Sequence, residues 1–402
     1  MEIVVALWSL RGLGGTETQT ITVADHLQRL GHDVWLHSAE HGRGTELAEG
    51  LGLRVTRDEA ELPAAPGVVV AHDAAASCEM AARYAAVPQV FVAHSDIFDL
   101  QLPLQIPDLV SVVVATYDRV EQRVRALGLE HEVVRLRQPV DVERFKPTRP
   151  PRARARVALA LSNYLHGERR EVLERACSRA GLELRHAGRH SDAGLVPAER
   201  ELNEADVVFG KARVIHEAMA CGRAAYVFDH NGAEGWVTAE SYPVLVADNF
   251  GGQSRPVPID EDRLVADLES YDAGMGLVNR DLAVAHHGAT KHAAALVEVL
   301  ERVTPRTAPL DAPLRELGRL VRLYHRADTQ SFALNAEAQS LGGQVNRLEE
   351  ELARARTEVE VAVADAQRAW QALRDLKATR RWRVAQSTLR PADRLRSAFG
   401  RR

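Results

Sequence analysis

The sequence has few cysteines, and their spacing suits neither disulfides nor metal ligands. Its 402 residues include three cysteines, Cys78, Cys177 and Cys221, which stand far apart with no C-x-x-C spacing. A disulfide scaffold and a zinc ribbon are therefore excluded, and a reducing compartment is indicated. The 16 histidines show no H-E-x-x-H spacing, so a zincin-type metal helix is not expected either.

Long hydrophobic runs are also missing. No apolar run approaches the ~18 residues that span a bilayer, and no basic region precedes the apolar start at Ile3, so a secretory signal is not expected. Hydrophobic residues make up 46% and charged residues 27% of the chain, which is typical of a globular protein. We expect a cytoplasmic protein of about two to three domains.

The charges are unevenly distributed. The last 26 residues, from Lys377, contain nine Lys/Arg and one acid, a net charge of +8, whereas the whole chain carries −5. The remainder is therefore at −13. An acidic body with one basic end does not indicate a general nucleic-acid-binding protein.

Valine-rich runs alternate with helical patterns through the first 140 residues. The predicted strands are Ile3–Trp8, Asp33–His37, Val68–Ala71, Gln89–Ala93 and Leu109–Ala115. Helical periodicity covers Thr16–Leu30, Ala74–Ala85 and Tyr117–Leu127. Such a βαβ series predicts a doubly wound, parallel sheet that is covered on both faces.

The alternation restarts after a Pro/Arg-rich linker at Phe145–Arg152. Strands are predicted at Arg156–Leu161, Leu182–His186, Ala205–Phe209, Ala224–Phe228 and Val244–Val246. Helices are predicted at Glu168–Ala180, Val214–Cys221, Asp262–Tyr271 and, as one long helix, about Val278–Val303. The sequence thus predicts two α/β domains in series, with a cleft between them.

A third region begins after the prolines of Thr304–Pro313. From Leu341 to Leu376, Leu, Val and Ala recur with alternating steps of four and three, which is the a/d pattern of a coiled coil. We expect a homo- or hetero-oligomer through 341–376; the alternative is a helix packed on the body. The basic tail at 379–402, with Trp382 and Phe399, is expected to bind an anionic membrane surface, unless it is simply solvated.

Two segments have the composition of a phosphate site. Gly12, Gly14 and Gly15 form a glycine-rich turn between the first strand and the first helix, where free amides can bind a phosphate. The spacing matches neither G-x-G-x-x-G nor a P-loop, so a plain tight turn is the alternative. In the second domain, Lys211 and Arg213 follow a strand and suit a diphosphate.

The helix after these two cations carries Glu217, which suits ribose hydroxyls or, alternatively, a surface ion pair. A second glycine turn follows at 231–235.

At these motifs the chain resembles family 4 glycosyltransferases. The segments that carry the resemblance are G-G-T-E at 14–17, L-Q-R-L-G-H-D-V at 27–34, Q-P-V-D-V-E-R-F-K-P at 138–147, E-A-M-A-C-G at 217–222 and D-H-N-G-A-E-G-W at 229–236. The resemblance implies a GT-B fold and retaining transfer from a nucleotide-sugar without a metal or other cofactor. It also implies an N-terminal acceptor domain at 1–145 and a donor domain at 152–303, followed by a linker or helical segment at 304–334, the coiled coil at 335–378 and the tail at 379–402.

The resemblance also implies roles for individual residues. His94, Lys211 and Arg213 are the candidate catalytic residues. The candidate donor-binding residues are Gly14, Gly15, Arg169, Arg170, Glu217, Gly232 and Glu234. The family pattern Glu-x7-Glu lacks its first member, since Phe209 stands there, and this leaves the identity of the sugar open.

Two acidic segments are interpreted as helix starts. Asp73 is expected to cap the helix that starts at Ala74. Asp260-Glu261-Asp262 has the D-x-D form of metal-dependent transferases, but it precedes a helical pattern where acids are favoured. No metal is therefore predicted.

The C-terminal string Thr379-Arg-Arg-Trp-Arg383 resembles the tails of bacterial surface-polysaccharide glycosyltransferases. It implies a glycan or lipid-linked glycan acceptor and, together with the basic tail, a peripheral position at the inner membrane face. No nucleic-acid partner is expected, because the body of the chain is acidic. The alternatives are a non-catalytic sugar-nucleotide-binding scaffold that acts through its coiled coil, and a nucleotide-sugar epimerase of GT-B shape.

Overall fold

A computed structural model describes residues 1–163, 165–188, 198–255, 257–307, 310 and 313–386. The chain divides into two compact units, Met1–Ser331 and the remainder from Phe332. The first unit contains two α/β lobes, here called the N-lobe and the C-lobe.

The valine-rich runs of the N-lobe form one parallel sheet. Its strands are β1 (Glu2–Leu10), β2 (Asp33–His41), β3 (Arg54–Thr56), β4 (Val68–Ala71), β5 (Gln89–Ala93), β6 (Val112–Ala115) and β7 (Glu132–Arg135). The strand order is β3-β2-β1-β4-β5-β6-β7, and every neighbouring pair is parallel. The order reverses between β1 and β4, which places a ligand crevice at the carboxyl ends of these strands.

Helices cover both faces of this sheet, as the continuous apolar runs require. The N-lobe helices are α1 (Gly15–Arg29), α2 (Arg43–Gly50), α3 (Ala74–Arg83) and α4 (Asp118–Ala126). Asp73 Oδ1 accepts a hydrogen bond from the backbone N–H of Ala76 at 2.9 Å. The prediction that Asp73 caps α3 is therefore confirmed.

The C-lobe is built around a second, smaller sheet. Its strands are β8 (Val157–Leu161), β9 (Glu183–Ala187), β10 (Val207–Gly210), β11 (Ala224–Asp229) and β12 (Gly232–Trp236), in the order β12-β11-β10-β8-β9. Pairing is parallel except between β11 and β12. Its helices are α5 (Glu168–Arg179), α6 (Ala198–Glu204), α7 (Arg213–Ala220), α8 (Tyr242–Leu245), α9 (Glu261–Glu269) and α10 (Gly274–His287).

Two sequence-based predictions for the C-lobe are wrong. Val244–Val246 is not a strand but lies in α8 and the 3-10 turn that follows it, since a three-residue apolar run cannot distinguish a strand from a buried helix. The expected glycine turn at 231–235 is mostly strand β12.

The chain crosses between the lobes twice. Val140 in the first crossing pairs with Gly288 in the second, and the N–H of Val140 donates to His287 O at 2.8 Å. Gly288 leaves the helical conformation to make this bridge, so the long helix predicted at Val278–Val303 is wrong. It is instead two helices, α10 and α11 (Ala289–Arg302). Helix α11 returns to the N-lobe core through Ala293, Leu296, Val299 and Leu300.

The third region is one helix, α12 (Leu314–Ala378), of 65 residues. Leu314 and Leu317 pack into the N-lobe core, and Arg322 Nη1 pairs with Glu79 Oε1 at 2.8 Å. The helix therefore begins within the expected linker at 304–334 and runs through the predicted coiled-coil segment. Residues 387–402, most of the predicted basic tail, lie outside the described residues. Within the described part of the chain, no helix combines the length and apolar character needed to span a membrane.

Candidate functional site

A cleft of about 370 Å³ opens between the N-lobe and the C-lobe at the carboxyl ends of their strands. Its N-lobe wall contains Gly15, Thr16, Glu17, Gln19, His94–Phe98, Gln101, Tyr117 and Arg119. Its C-lobe wall contains Lys211–Arg213, Asn231, Asp248, Asn249, Gly251 and Gln253. The cleft thus brings together Gly15, His94, Lys211 and Arg213 of the predicted site residues.

Lys211 and Arg213 enter the cleft from the turn that joins β10 to α7. Lys211 Nζ lies 3.2 Å from His230 Nδ1 and 3.8 Å from Asp229 Oδ2. Burial lowers the pKa of Lys211, and the Asp229 carboxylate partly opposes this shift. Arg213 Nη1 donates to Glu217 Oε1 at 2.7 Å. The C-lobe wall therefore presents two cations, each held by a carboxylate behind it.

The backbone of this turn is tightly constrained. Ala212 has φ +48° and ψ −121°, a region that glycine adopts more easily than alanine. Its N–H donates to Phe250 O at 3.0 Å, which fixes the turn against the 248–253 loop. A Cβ at Gly210 would lie 2.5 Å from Val214 Cγ1, so glycine is required there. Strain of this kind is common where side chains are held for function.

The two positions of the family's Glu-x7-Glu pattern both point away from the cleft. Glu217 is 2% exposed and lies behind Arg213; burial raises its pKa and the Arg213 charge lowers it. Phe209 is 1% exposed and packs against the rings of Tyr226 and Phe228 in the C-lobe core. The side chain that replaces the first carboxylate therefore has no access to a ligand.

The carboxylate of Glu17 lies against the glycine-rich turn that precedes α1. The Glu17 carboxylate accepts from the backbone N–H groups of Glu17 and Gly14, and a Cβ on Gly14 would lie 2.5 Å from Glu17 Oε2. Burial raises the pKa of Glu17, whereas these hydrogen bonds and the charge of Arg213 lower it. Because this carboxylate already binds amides of the first turn of α1, a phosphate would have to displace it. Sequence analysis noted the G-G-T-E string but assigned its acid no role.

His94 immediately follows β5 and lies half-buried in the cleft wall. Its Nδ1 is 3.2 Å from Gln19 Oε1, and its Nε2 is 2.8 Å from His72 Nδ1. Burial, together with nearby His292, lowers the pKa of His94 to about 3. The imidazole is therefore neutral at physiological pH and serves as a hydrogen-bonding group rather than as a cation.

A second N-lobe group was missed by the sequence analysis. Asp96 Oδ1 accepts from Tyr117 Oη at 2.8 Å, and Asp96 Oδ2 pairs with Arg119 Nε at 2.8 Å. All three residues line the cleft, because they follow β5 and β6 at the carboxyl edge of the sheet. Polar residues just after predicted parallel strands were the available signal.

The remaining predicted residues are dispersed. Arg169 and Gly232 line a second C-lobe cavity of about 440 Å³, which shares Asn231 with the cleft. Arg170 Nε instead forms a surface ion pair with Glu174 Oε1 at 2.7 Å. Glu234 is buried in β12, where it accepts from the N–H of Arg255. Arg170 and Glu234 line neither cavity, and Gly14 adjoins the cleft as the residue before α1.

One group of described residues could supply three ligands to a metal, namely Asp25, His26 and Asp141. Arg29 Nη2 lies 2.7 Å from Asp25 Oδ2, and Arg29 Nη1 lies 3.8 Å from Asp141 Oδ2. This guanidinium already balances the carboxylates, which disfavours a divalent ion. In the D-x-D string, Asp260 Oδ1 accepts from the N–H of Arg263 at 2.8 Å, and Glu261 and Asp262 lie in the first turn of α9. The interpretation of this string as the start of a helix is therefore confirmed.

The chain is similar in fold to several solved glycosyltransferases. The Anabaena protein HepE, in complex with UDP-glucose, gives a TM-score of 0.54 at 13% identity over 75% of this chain and 100% of that chain. HepE with UDP and glucose gives 0.53 at 14% identity over the same shares. Sucrose-phosphate synthase from Thermosynechococcus elongatus gives 0.50 at 12% identity, over 75% of this chain and 98% of that chain.

No known protein family matches the sequence, and no curated protein matches it either. The likeness to solved structures therefore concerns the fold. It confirms the predicted class: the chain has the GT-B fold of glycosyltransferases, with two Rossmann-like lobes followed by a long C-terminal helix.

Proposed function

We propose that this protein is a retaining glycosyltransferase that moves a sugar from a nucleotide-sugar to a glycan or lipid-linked glycan acceptor. The observation that carries the proposal is the arrangement of Lys211 and Arg213 across the cleft from the start of α1. Departure of a nucleotide leaves negative charge on a diphosphate, and pre-placed cations in a water-poor cleft stabilise that charge. The fold likeness to HepE, which binds UDP-glucose, supports the proposal.

Each residue then has a role. Lys211 and Arg213 stabilise the departing diphosphate, and Arg169 at the adjoining cavity contacts the same group. Glu217, buried behind Arg213, orients that guanidinium towards the diphosphate. Neutral His94 hydrogen-bonds to the sugar or to the acceptor hydroxyl. The reaction needs no metal, because the two cations supply the charge that a metal ion would otherwise bring.

The setting of the reaction is also part of the proposal. The basic tail at 379–402 holds the enzyme at an anionic membrane surface, where a lipid-linked acceptor for surface-polysaccharide synthesis is available. Liposome flotation of the full chain and of a chain lacking residues 378–402 tests this part. Flotation that does not depend on the tail contradicts it.

The activity itself is tested on the purified full-length protein. A thermal-shift screen against UDP-, GDP- and ADP-sugars identifies the donor, and release of free nucleotide then measures turnover. Lys211→Met is expected to lower turnover about 10²- to 10³-fold. The control, Lys291→Met on the exposed face of α11, is expected to retain wild-type turnover. Equal activity in both variants contradicts the assignment of Lys211.

A second candidate function is a non-catalytic sugar-nucleotide-binding scaffold. The observation that favours it is the burial of Phe209 at the position of a donor-contacting carboxylate. Both functions predict donor binding, but only the enzyme releases nucleotide. Donor binding without nucleotide release would support the scaffold, provided that Glu217→Ala binds the donor as tightly as the wild type does.

A further inference from the structure

Helix α12 carries an apolar stripe that faces solvent. Leu341, Val345, Leu348 and Leu352 are each more than half exposed, and the exposed fraction of Leu348 reaches 64%. These residues follow one another at steps of four and three, so they lie along one side of the helix. A contiguous apolar stripe on an otherwise charged helix indicates an interaction surface.

The stripe begins before the 341–376 segment predicted from the sequence. Leu334, one heptad before Leu341, is also exposed. From Leu334 to Leu376 the stripe extends over about six heptads, or roughly 65 Å of helix.

We propose that this stripe docks a second copy of the same chain in a parallel, two-stranded coiled coil. The first argument is charge complementarity. With Leu341 at a d position, the g positions beside the stripe include Glu337, Glu351, Glu358 and Asp365. An antiparallel pair sets g against g and so faces acid with acid, whereas a parallel pair sets Glu351 against Arg356 of the second copy.

The second argument is the shape of the side chains in the stripe. The a positions include Val345 and Val359, and the d positions include Leu341 and Leu348. β-Branched residues at a with leucine at d favour two parallel strands over three or four.

Large apolar side chains flank the alanine-rich part of the stripe. Ala355, Ala362 and Ala369 at d positions give little contact by themselves. Val363 and Trp370 occupy the neighbouring e positions, and the exposed fraction of Trp370 is 64%. In a parallel dimer these side chains cover the alanines of the second copy. The indole ring of Trp370 is then buried where the core side chains of the coiled coil are smallest.

The test uses the full chain and measures mass by sedimentation equilibrium. The wild type is expected to be a dimer at micromolar concentration, and Val345→Lys with Leu352→Lys is expected to weaken it about a hundredfold. The matched control, Ala353→Lys with Thr357→Lys, adds the same charges at outer positions b and f and is expected to stay dimeric. A monomeric or trimeric wild type, or equal dissociation of both variants, overturns the proposal.

Orientation is tested separately by cross-linking. The native cysteines Cys78, Cys177 and Cys221 are buried, so Leu373→Cys introduces an accessible thiol near one end of the stripe. Oxidation is expected to give a cross-linked dimer, and its absence overturns the parallel arrangement. None of these measurements depends on glycosyl transfer, so the two proposals can fail independently.

Discussion

At the residue scale, the proposed chemistry depends on the charge of Lys211, which the protein environment changes. Burial disfavours the ammonium form and lowers the pKa of Lys211, while Asp229 at 3.8 Å retains part of the charge. Lys211 is therefore cationic below this lowered pKa and loses its charge as the pH rises through it. An ordinary lysine would stay charged up to about pH 10.

Donor binding should therefore weaken at a lower pH than it would if Lys211 had the pKa of an ordinary lysine. The dissociation constant of the nucleotide-sugar, measured from about pH 6 to 10, is expected to rise on the alkaline side in the wild type. Lys211→Arg is expected to give a flatter profile, because arginine stays charged throughout this range. Identical profiles for the two proteins would show that Lys211 does not carry the charge that the donor requires.

A second residue-scale prediction concerns metals. Glu261 is bound by Arg175 and Arg179 at 2.7 and 2.8 Å, and Asp262 by Arg179 at 2.8 Å, so the D-x-D string is already charge-paired. Turnover of the donor is expected to be unchanged after treatment with EDTA. Loss of turnover that Mg²⁺ or Mn²⁺ restores would contradict the metal-free mechanism.

At the element scale, the turn between β10 and α7 stores backbone strain. Ala212 at φ +48° holds Lys211 and Arg213 towards the cleft. Ala212→Gly is expected to stabilise the protein by about 1 kcal/mol, because glycine adopts this conformation without strain. Urea unfolding measures the difference.

The matched control for this turn is Ala218→Gly in the helical part of α7. There glycine is expected to destabilise by about 1 kcal/mol, since helical backbone favours alanine. Destabilisation of similar size in both variants would show that Ala212 is not strained.

At the scale of the whole molecule, the first lobe crossing is fastened by Asp141. Its carboxylate accepts from the N–H groups of Glu143 and Arg144 at 3.0 Å each, and Oδ2 lies 3.5 Å from His26 Nε2. Burial alone would raise the pKa of Asp141, but these hydrogen bonds outweigh it and lower the pKa below its usual range. Its stabilising effect is therefore present above the unfolded pKa of about 4 and is lost as the pH falls towards the folded pKa.

Asp141→Asn is expected to cost about 1–3 kcal/mol of unfolding free energy at neutral pH. Below about pH 4 the difference from the wild type should shrink, because the wild-type carboxyl becomes protonated there as well. Asp281→Asn, an exposed acid on α10, serves as the control and should change stability by less than about 0.5 kcal/mol. A difference that is constant with pH would exclude an electrostatic role for Asp141.

Much of this fold follows from local sequence pattern. Parallel strands buried on both faces give continuous valine runs, so β4 and β5 were predicted with their bounds. The break at Gly288 was not predictable, because its partner Val140 is distant in the chain. The same holds for the site: Lys211 and His94 follow recognisable strands. Asp248 instead ends a 3-10 turn next to the segment Val244–Val246, which was wrongly expected to be a strand, and it faces the cleft only in the folded protein.

The central claim is that the diphosphate of a nucleotide-sugar binds between the two lobes. Its most direct test is a crystal structure of the full chain with the donor that the thermal-shift screen identifies. The diphosphate is expected within hydrogen-bonding distance of Lys211 Nζ and the Arg213 guanidinium, with the Glu17 carboxylate displaced from the N–H of Gly14. A donor that binds in solution but is found elsewhere in the crystal, with this cleft closed or empty, would contradict the account.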